Sequence, residues 1–101
     1  MTFDELLRAE HAHPVVALFY GTNCAPCNAL KPKLREVCKQ TGTPLEEFNS
    51  AAELPMVRML GLRSVPAVVT VHRGEWFIAF TGDKPAGEIA GLLEQAGLRA
   101  A

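Results

Sequence analysis

Val15-Val16-Ala17-Leu18-Phe19-Tyr20 is apolar at every position, with no alternation to mark a solvent side. A strand of this kind needs cover on both faces, which commits the chain to a layered arrangement of helices against a sheet. Gly21-Thr22-Asn23 then turns directly into Cys24-Ala25-Pro26-Cys27, which opens a helical stretch. The strand thus delivers Cys24 to a helix N-terminus, where unpaired N–H groups and the helix dipole favour a thiolate. The thiolate is the nucleophile of disulfide chemistry, so this position lowers the Cys24 pKa below that of a free cysteine. Three residues along a helix separate two Cα atoms by about 5–6 Å, inside the window a disulfide tolerates. Such a pair can open and close with little backbone movement.

The 101 residues suffice for one domain spanning 1–101, and 49% apolar with 21% charged residues argues against disorder. A net charge of −1 gives no reason to expect nucleic acid or an anionic membrane as partner. The run Val15–Tyr20 is the longest apolar stretch and far too short to span a bilayer. Met1-Thr2-Phe3-Asp4-Glu5 is acidic and unlike a signal peptide, and three cysteines are too few for a secreted disulfide scaffold. A cytoplasmic location is the expectation.

Residues 2–10 read as a short amphipathic helix with Thr2 as N-cap and Phe3, Leu6 and Leu7 on one face. Pro14 breaks it. After the first strand, a helix from 24 or 25 to about 40 buries Leu30, Leu34, Val37 and Cys38. Pro26 suits its first turn, whereas Pro32 lies inside and predicts a kink. Residues 45–49 form a short strand, and 51–60 a helix closed by Gly61. A strand over 66–71, a turn over 72–75 and a partner over 76–81 make a hairpin. Residues 85–96 form the last helix, with Ile89, Leu92 and Leu93 inward. The first half is a βαβ unit with parallel strands.

At this point the chain resembles the thioredoxin family. The features carrying the resemblance are Cys24 and Cys27 after a buried strand, and Pro32 five residues beyond the second cysteine. They continue with Gly61-Leu62-Arg63-Ser64-Val65-Pro66 before an apolar strand, then Gly74 and Gly82. The fold this implies is a three-layer α/β sandwich ordered α-β-α-β-α-β-β-α. Its central four-stranded mixed sheet carries helices on both faces, and the family's extra N-terminal strand is lacking. The implied activity is thiol–disulfide oxidoreduction without cofactor or metal, with Cys24 as nucleophile and Cys27 as resolving thiol. The resemblance also implies a cis Val65–Pro66 bond and a substrate groove formed by Asn23, Ala25, Pro26, Val65, Pro66 and Gly82. Its partners would be disulfide-containing proteins and a thioredoxin-reductase-like or other thiol electron donor, met by a monomer.

The chain departs from the family pattern at defined positions. Asn23 replaces the usual tryptophan, Ala25 the usual glycine, and Leu18 the buried aspartate that takes the resolving thiol's proton. Glu47 stands where a lysine is usual, so it is the expected substitute proton acceptor. Asp83 follows Gly82 and would bias against acidic partners. Zinc would need four ligands, and Cys38 with three scattered histidines offers no second pair. Cys38, eleven residues after Cys27, is expected to pack as a small hydrophobe about 16 Å from it. His11, His13 and His72 are expected to be solvated, as are Lys31 and Lys33, while Met56, Met59 and Trp76 read as packing. Two other functions remain compatible: a glutathione-using, glutaredoxin-like protein, and a binding adaptor with a vestigial pair.

Overall fold

The structure, a computed structural model, describes residues 1–100. Strand β1 (Val15–Tyr20) lies inside a four-stranded sheet with β2 (Leu45–Asn49), β3 (Ala67–His72) and β4 (Glu75–Thr81). The strand order is β2-β1-β3-β4, with β1 parallel to β2 and antiparallel to β3. Helices α1 (Phe3–Arg8), α2 (Ala25–Thr41), α3 (Leu54–Leu60) and α4 (Ala86–Ala100) complete the chain. The expected α/β order and four-stranded mixed sheet are therefore present.

The unbroken apolar run of β1 resolves into two cores, because successive side chains point to opposite faces. Val15, Ala17 and Phe19 join Phe3, Leu6, Phe48, Leu60, Val69 and Val71 on one face. Val16 and Leu18 join Leu30, Leu34, Val37, Cys38, Val68, Phe80, Ile89 and Leu93 on the other. Each fully buried large side chain contributes roughly 1.5–3 kcal/mol, so both faces are needed for a stable domain. In the first core Phe3 packs edge-on to Phe19 and Phe48, with ring centroids 5.0 and 5.7 Å away.

Local chemistry sets the boundaries. Thr2 caps α1 in a reciprocal capping box with Glu5, and the helix ends at Arg8, earlier than the pattern predicts. The stretch expected as one helix over 51–60 is instead a 3₁₀ turn, Ser50–Glu53, followed by α3. Asn49 caps that turn by accepting the Ala51 N–H, and Pro55 fits the first turn of α3, where a missing N–H costs nothing. Glu53 is used differently: its carboxylate accepts the Phe3 N–H at 2.6 Å and ties α1 to the α3 segment. Arg73 and Gly74 both adopt left-handed backbone, φ 52° and 79°, which is the two-residue turn that matches strand twist. Helix α2 is continuous through Pro32, and α4 runs four residues beyond the predicted end.

Two expectations about burial are corrected. His72 is buried, because it lies in β3 rather than in the turn, and its Nε2 sits 3.1 Å from the His11 carbonyl. Met59 is 48% exposed, whereas Met56 packs partly against the first core.

Thr70 is opposite Val16 and faces the second core at 1% exposure, yet its hydroxyl has no hydrogen-bond partner among the described residues. A buried hydroxyl without a partner carries its desolvation cost uncompensated. Thr70→Val is therefore expected to raise stability by about 1 kcal/mol, read as a higher urea midpoint with unchanged slope. An unchanged or lower midpoint would show that the hydroxyl is satisfied.

Candidate active site

The end of β1 and the start of α2 assemble the site. Cys24 is the N-cap of α2, and its Sγ accepts the Cys27 N–H at 3.2 Å. Its carbonyl accepts the Asn28 N–H at 3.0 Å and so begins the helical ladder. Pro26 occupies the first turn as expected. Cys24 and Cys27 are joined by a disulfide with Cα atoms 5.2 Å apart. The two sulfurs sit in different surroundings: Cys27 has no exposed surface, and Cys24 is partly exposed. Asn23, Ala25 and Pro26 surround Cys24 on the solvent side. Asn23 has φ 53°, a left-handed conformation that asparagine tolerates better than most side chains.

The loop before β3 forms the opposite wall. Val65–Pro66 is a cis peptide bond, and the Val65 carbonyl oxygen lies 3.9 Å from Cys24 Sγ. Gly82 donates its N–H to the Pro66 carbonyl at 2.8 Å, which fixes the end of β4 against the same loop. Cys24, Cys27, Val65, Pro66 and Gly82, separate in sequence, are thereby brought together.

Gly21 is a further site residue that the sequence reading missed. A Cβ there would stand 3.0 Å from Val65 Cγ2, so the absence of a side chain lets β1 approach the Val65 loop closely. The signal available in the sequence was a glycine immediately after a fully buried strand.

Glu47 lies on the neighbouring strand. It lies opposite Leu18 in the β1–β2 register, and both its oxygens accept from Arg35, each at 2.8 Å. These hydrogen bonds hold its carboxyl below the usual carboxylate range. A carboxylate so engaged is a weaker base, which counts against Glu47 as the acceptor for the Cys27 proton. Leu18 itself is buried in an apolar cluster with Leu30 and Leu34. Glu47→Gln is expected to leave the rate of Cys27 resolution unchanged within about twofold, measured by single-turnover release of a substrate held on Cys24.

The lysines are not simply solvated. Lys31 Nζ stands 3.8 Å from the centre of the Tyr20 ring, and Lys33 pairs with Asp83 at 2.8 Å. Asp83 is therefore neutralised by a neighbour, and the bias against acidic partners expected from it loses its basis. Cys38 is buried as expected, and burial pushes its thiol up to about 11. Among the described residues no group of three His, Cys, Asp or Glu side chains could hold a metal ion.

A mixed sheet between helices, with a partly exposed cysteine at a helix N-terminus disulfide-bonded to a buried one, defines a dithiol–disulfide protein. The thioredoxin family profile matches residues 1–95, and the chain belongs to the thioredoxin family. A curated relative, the chloroplastic thioredoxin Y of Oryza sativa subsp. japonica, is 27% identical over 97 residues. That match covers 94% of this chain and 57% of the rice protein, so the chain spans little more than half of that relative's length. The crystal structure of a chloroplastic thioredoxin z superposes with a TM-score of 0.76 at 18% identity, covering 95% of this chain and 90% of the other. A mutant thioredoxin from Halobacterium salinarum NRC-1 gives 0.78 at 23% identity, covering 94% and 82%. Both structures share the fold.

Proposed function

We propose that this chain is a thiol–disulfide oxidoreductase that reduces disulfides in protein substrates. The observation carrying this reading is the asymmetric pair: Cys24 accessible at the helix N-cap, Cys27 buried behind it at disulfide distance. In the reduced form the Cys27 N–H and the helix N-terminus both favour a Cys24 thiolate. That thiolate attacks one sulfur of a substrate disulfide. A Cys24–substrate disulfide forms, and the other substrate sulfur leaves as a thiolate that takes up a proton. Cys27 then gives up its proton and attacks Cys24 Sγ. The mixed disulfide breaks, the second substrate thiol departs, and the Cys24–Cys27 disulfide closes.

An extended substrate strand would lie along the Val65 carbonyl, with Asn23, Ala25 and Pro26 on one side and Gly82 on the other. A thioredoxin-reductase-like enzyme or another thiol donor returns two electrons to the pair. The protein acts as a monomer in this reading, without a cofactor beyond its own disulfide. Its proposed location, the cytoplasm, rests on the low and odd cysteine count. Reduction of insulin by dithiothreitol, followed as precipitation of the freed chains, tests the activity. Acceleration above the background supports the oxidoreductase, and the background rate alone would favour a binding adaptor.

A further inference from the structure

Helix α2 carries both cysteines, while the opposite wall of the groove belongs to the Val65 loop and the residues that end β4. These walls come from distant parts of the sequence. They are joined near Cys24 by the close approach of Gly21 and Val65. On the other side a second link exists. Lys33, within two turns of Cys27 on α2, forms a 2.8 Å ion pair with Asp83, the residue after Gly82. Gly82 in turn donates to Pro66, whose neighbour Val65 faces Cys24 Sγ. The contacts close a ring running from α2 through Lys33, Asp83, Gly82, Pro66 and Val65 back to Cys24.

We propose that the Lys33–Asp83 pair is a strut that positions the Gly82 loop against α2 and thereby sets the width of the substrate groove. Neither residue touches the reacting sulfurs, so both act as positioning residues. The pair is suited to this task by placement. Its two side chains are 30% and 35% exposed, less open than the Arg8–Asp4 pair on α1 at 79% and 46%, so water screens it less. It spans two elements, whereas Arg8–Asp4 lies within one helix turn and fixes no tertiary geometry. The inference rests on the oxidoreductase reading for its kinetic consequence, but its structural content stands apart from it.

Two measurements on Lys33→Met separate these. Amide exchange at Gly82, which reports the bond to Pro66, is expected to quicken by roughly threefold, the size of effect such a pair carries. In the insulin assay KM is expected to rise by about the same factor, with kcat unchanged. A double variant, Lys33→Asp with Asp83→Lys, is expected to restore both values. Unchanged Gly82 exchange in Lys33→Met would overturn the strut, even if KM moved, since the lysine would then be contacting substrate. A double variant no better than either single one would overturn it as well. If the wild-type protein shows no turnover, the oxidoreductase reading fails, and the exchange measurement still decides whether the strut exists.

Discussion

Cys24→Ser is expected to reduce insulin-disulfide turnover to the dithiothreitol background, a loss of at least about a hundredfold, while leaving the fold intact. A serine hydroxyl stays protonated at neutral pH, whereas the helix N-cap position favours a thiolate on Cys24, so the variant would lack a nucleophile. The companion result distinguishes the two sulfurs. Cys27→Ser would keep the proposed attacking thiol and lose the resolving one, so it is expected to accumulate a covalent adduct with substrate, visible as added mass without reductant. Alkylation of the reduced wild-type protein at neutral pH is expected to follow the same order. Cys24 should react first, and Cys38 should be spared, because burial pushes its thiol up to about 11. Adduct formation on Cys24→Ser, or equal turnover in all three proteins, would refute the assignment of roles.

Phe19→Ala is expected to cost about 3–5 kcal/mol, the range for removing a buried aromatic ring. Phe19 has no exposed surface and packs with Phe3 at 5.0 Å and Phe48 at 5.6 Å between ring centroids. These three rings join β1, β2 and α1, so a cavity there opens where three elements meet. A domain of this size is stable by only about 5–15 kcal/mol, and the loss corresponds to a fall in melting temperature of about 12 °C or more. Thermal unfolding followed by circular dichroism measures it. A fall below about 4 °C would mean that the site collapses around the missing ring, and that the aromatic cluster contributes little.

The limits of strands β1 and β2 were legible to the residue because each is a local signal, an apolar or alternating run bounded by proline, glycine or asparagine. The cysteine pair was legible for the same reason, since strand, turn and helix follow one another in the chain. The Val65–Pro66 wall and Gly82 were placed only through the family resemblance. What stayed hidden depends on tertiary approach. Glu47 has an ordinary strand position, and only the crossover from α2 to β2 brings Arg35 to it. Lys33 looks like a solvated charge and Asp83 like a filter on partners until the end of β4 meets α2. His72 stands beside a turn sequence, and its burial in β3 comes with the approach of the His11 loop. Met59 failed in the opposite sense: its spacing fits a core position, but the short α3 turns it outward.

The unequal accessibility of the two sulfurs sets a kinetic rule. In the closed pair a visiting thiol can meet only Cys24, and in the open pair only Cys24 can greet a target. In the proposed cycle, donor and recipient of electrons would share a single doorway and enter in turn. Steady-state rates should trace parallel lines in double-reciprocal form, and an excess of either visitor should hinder the other.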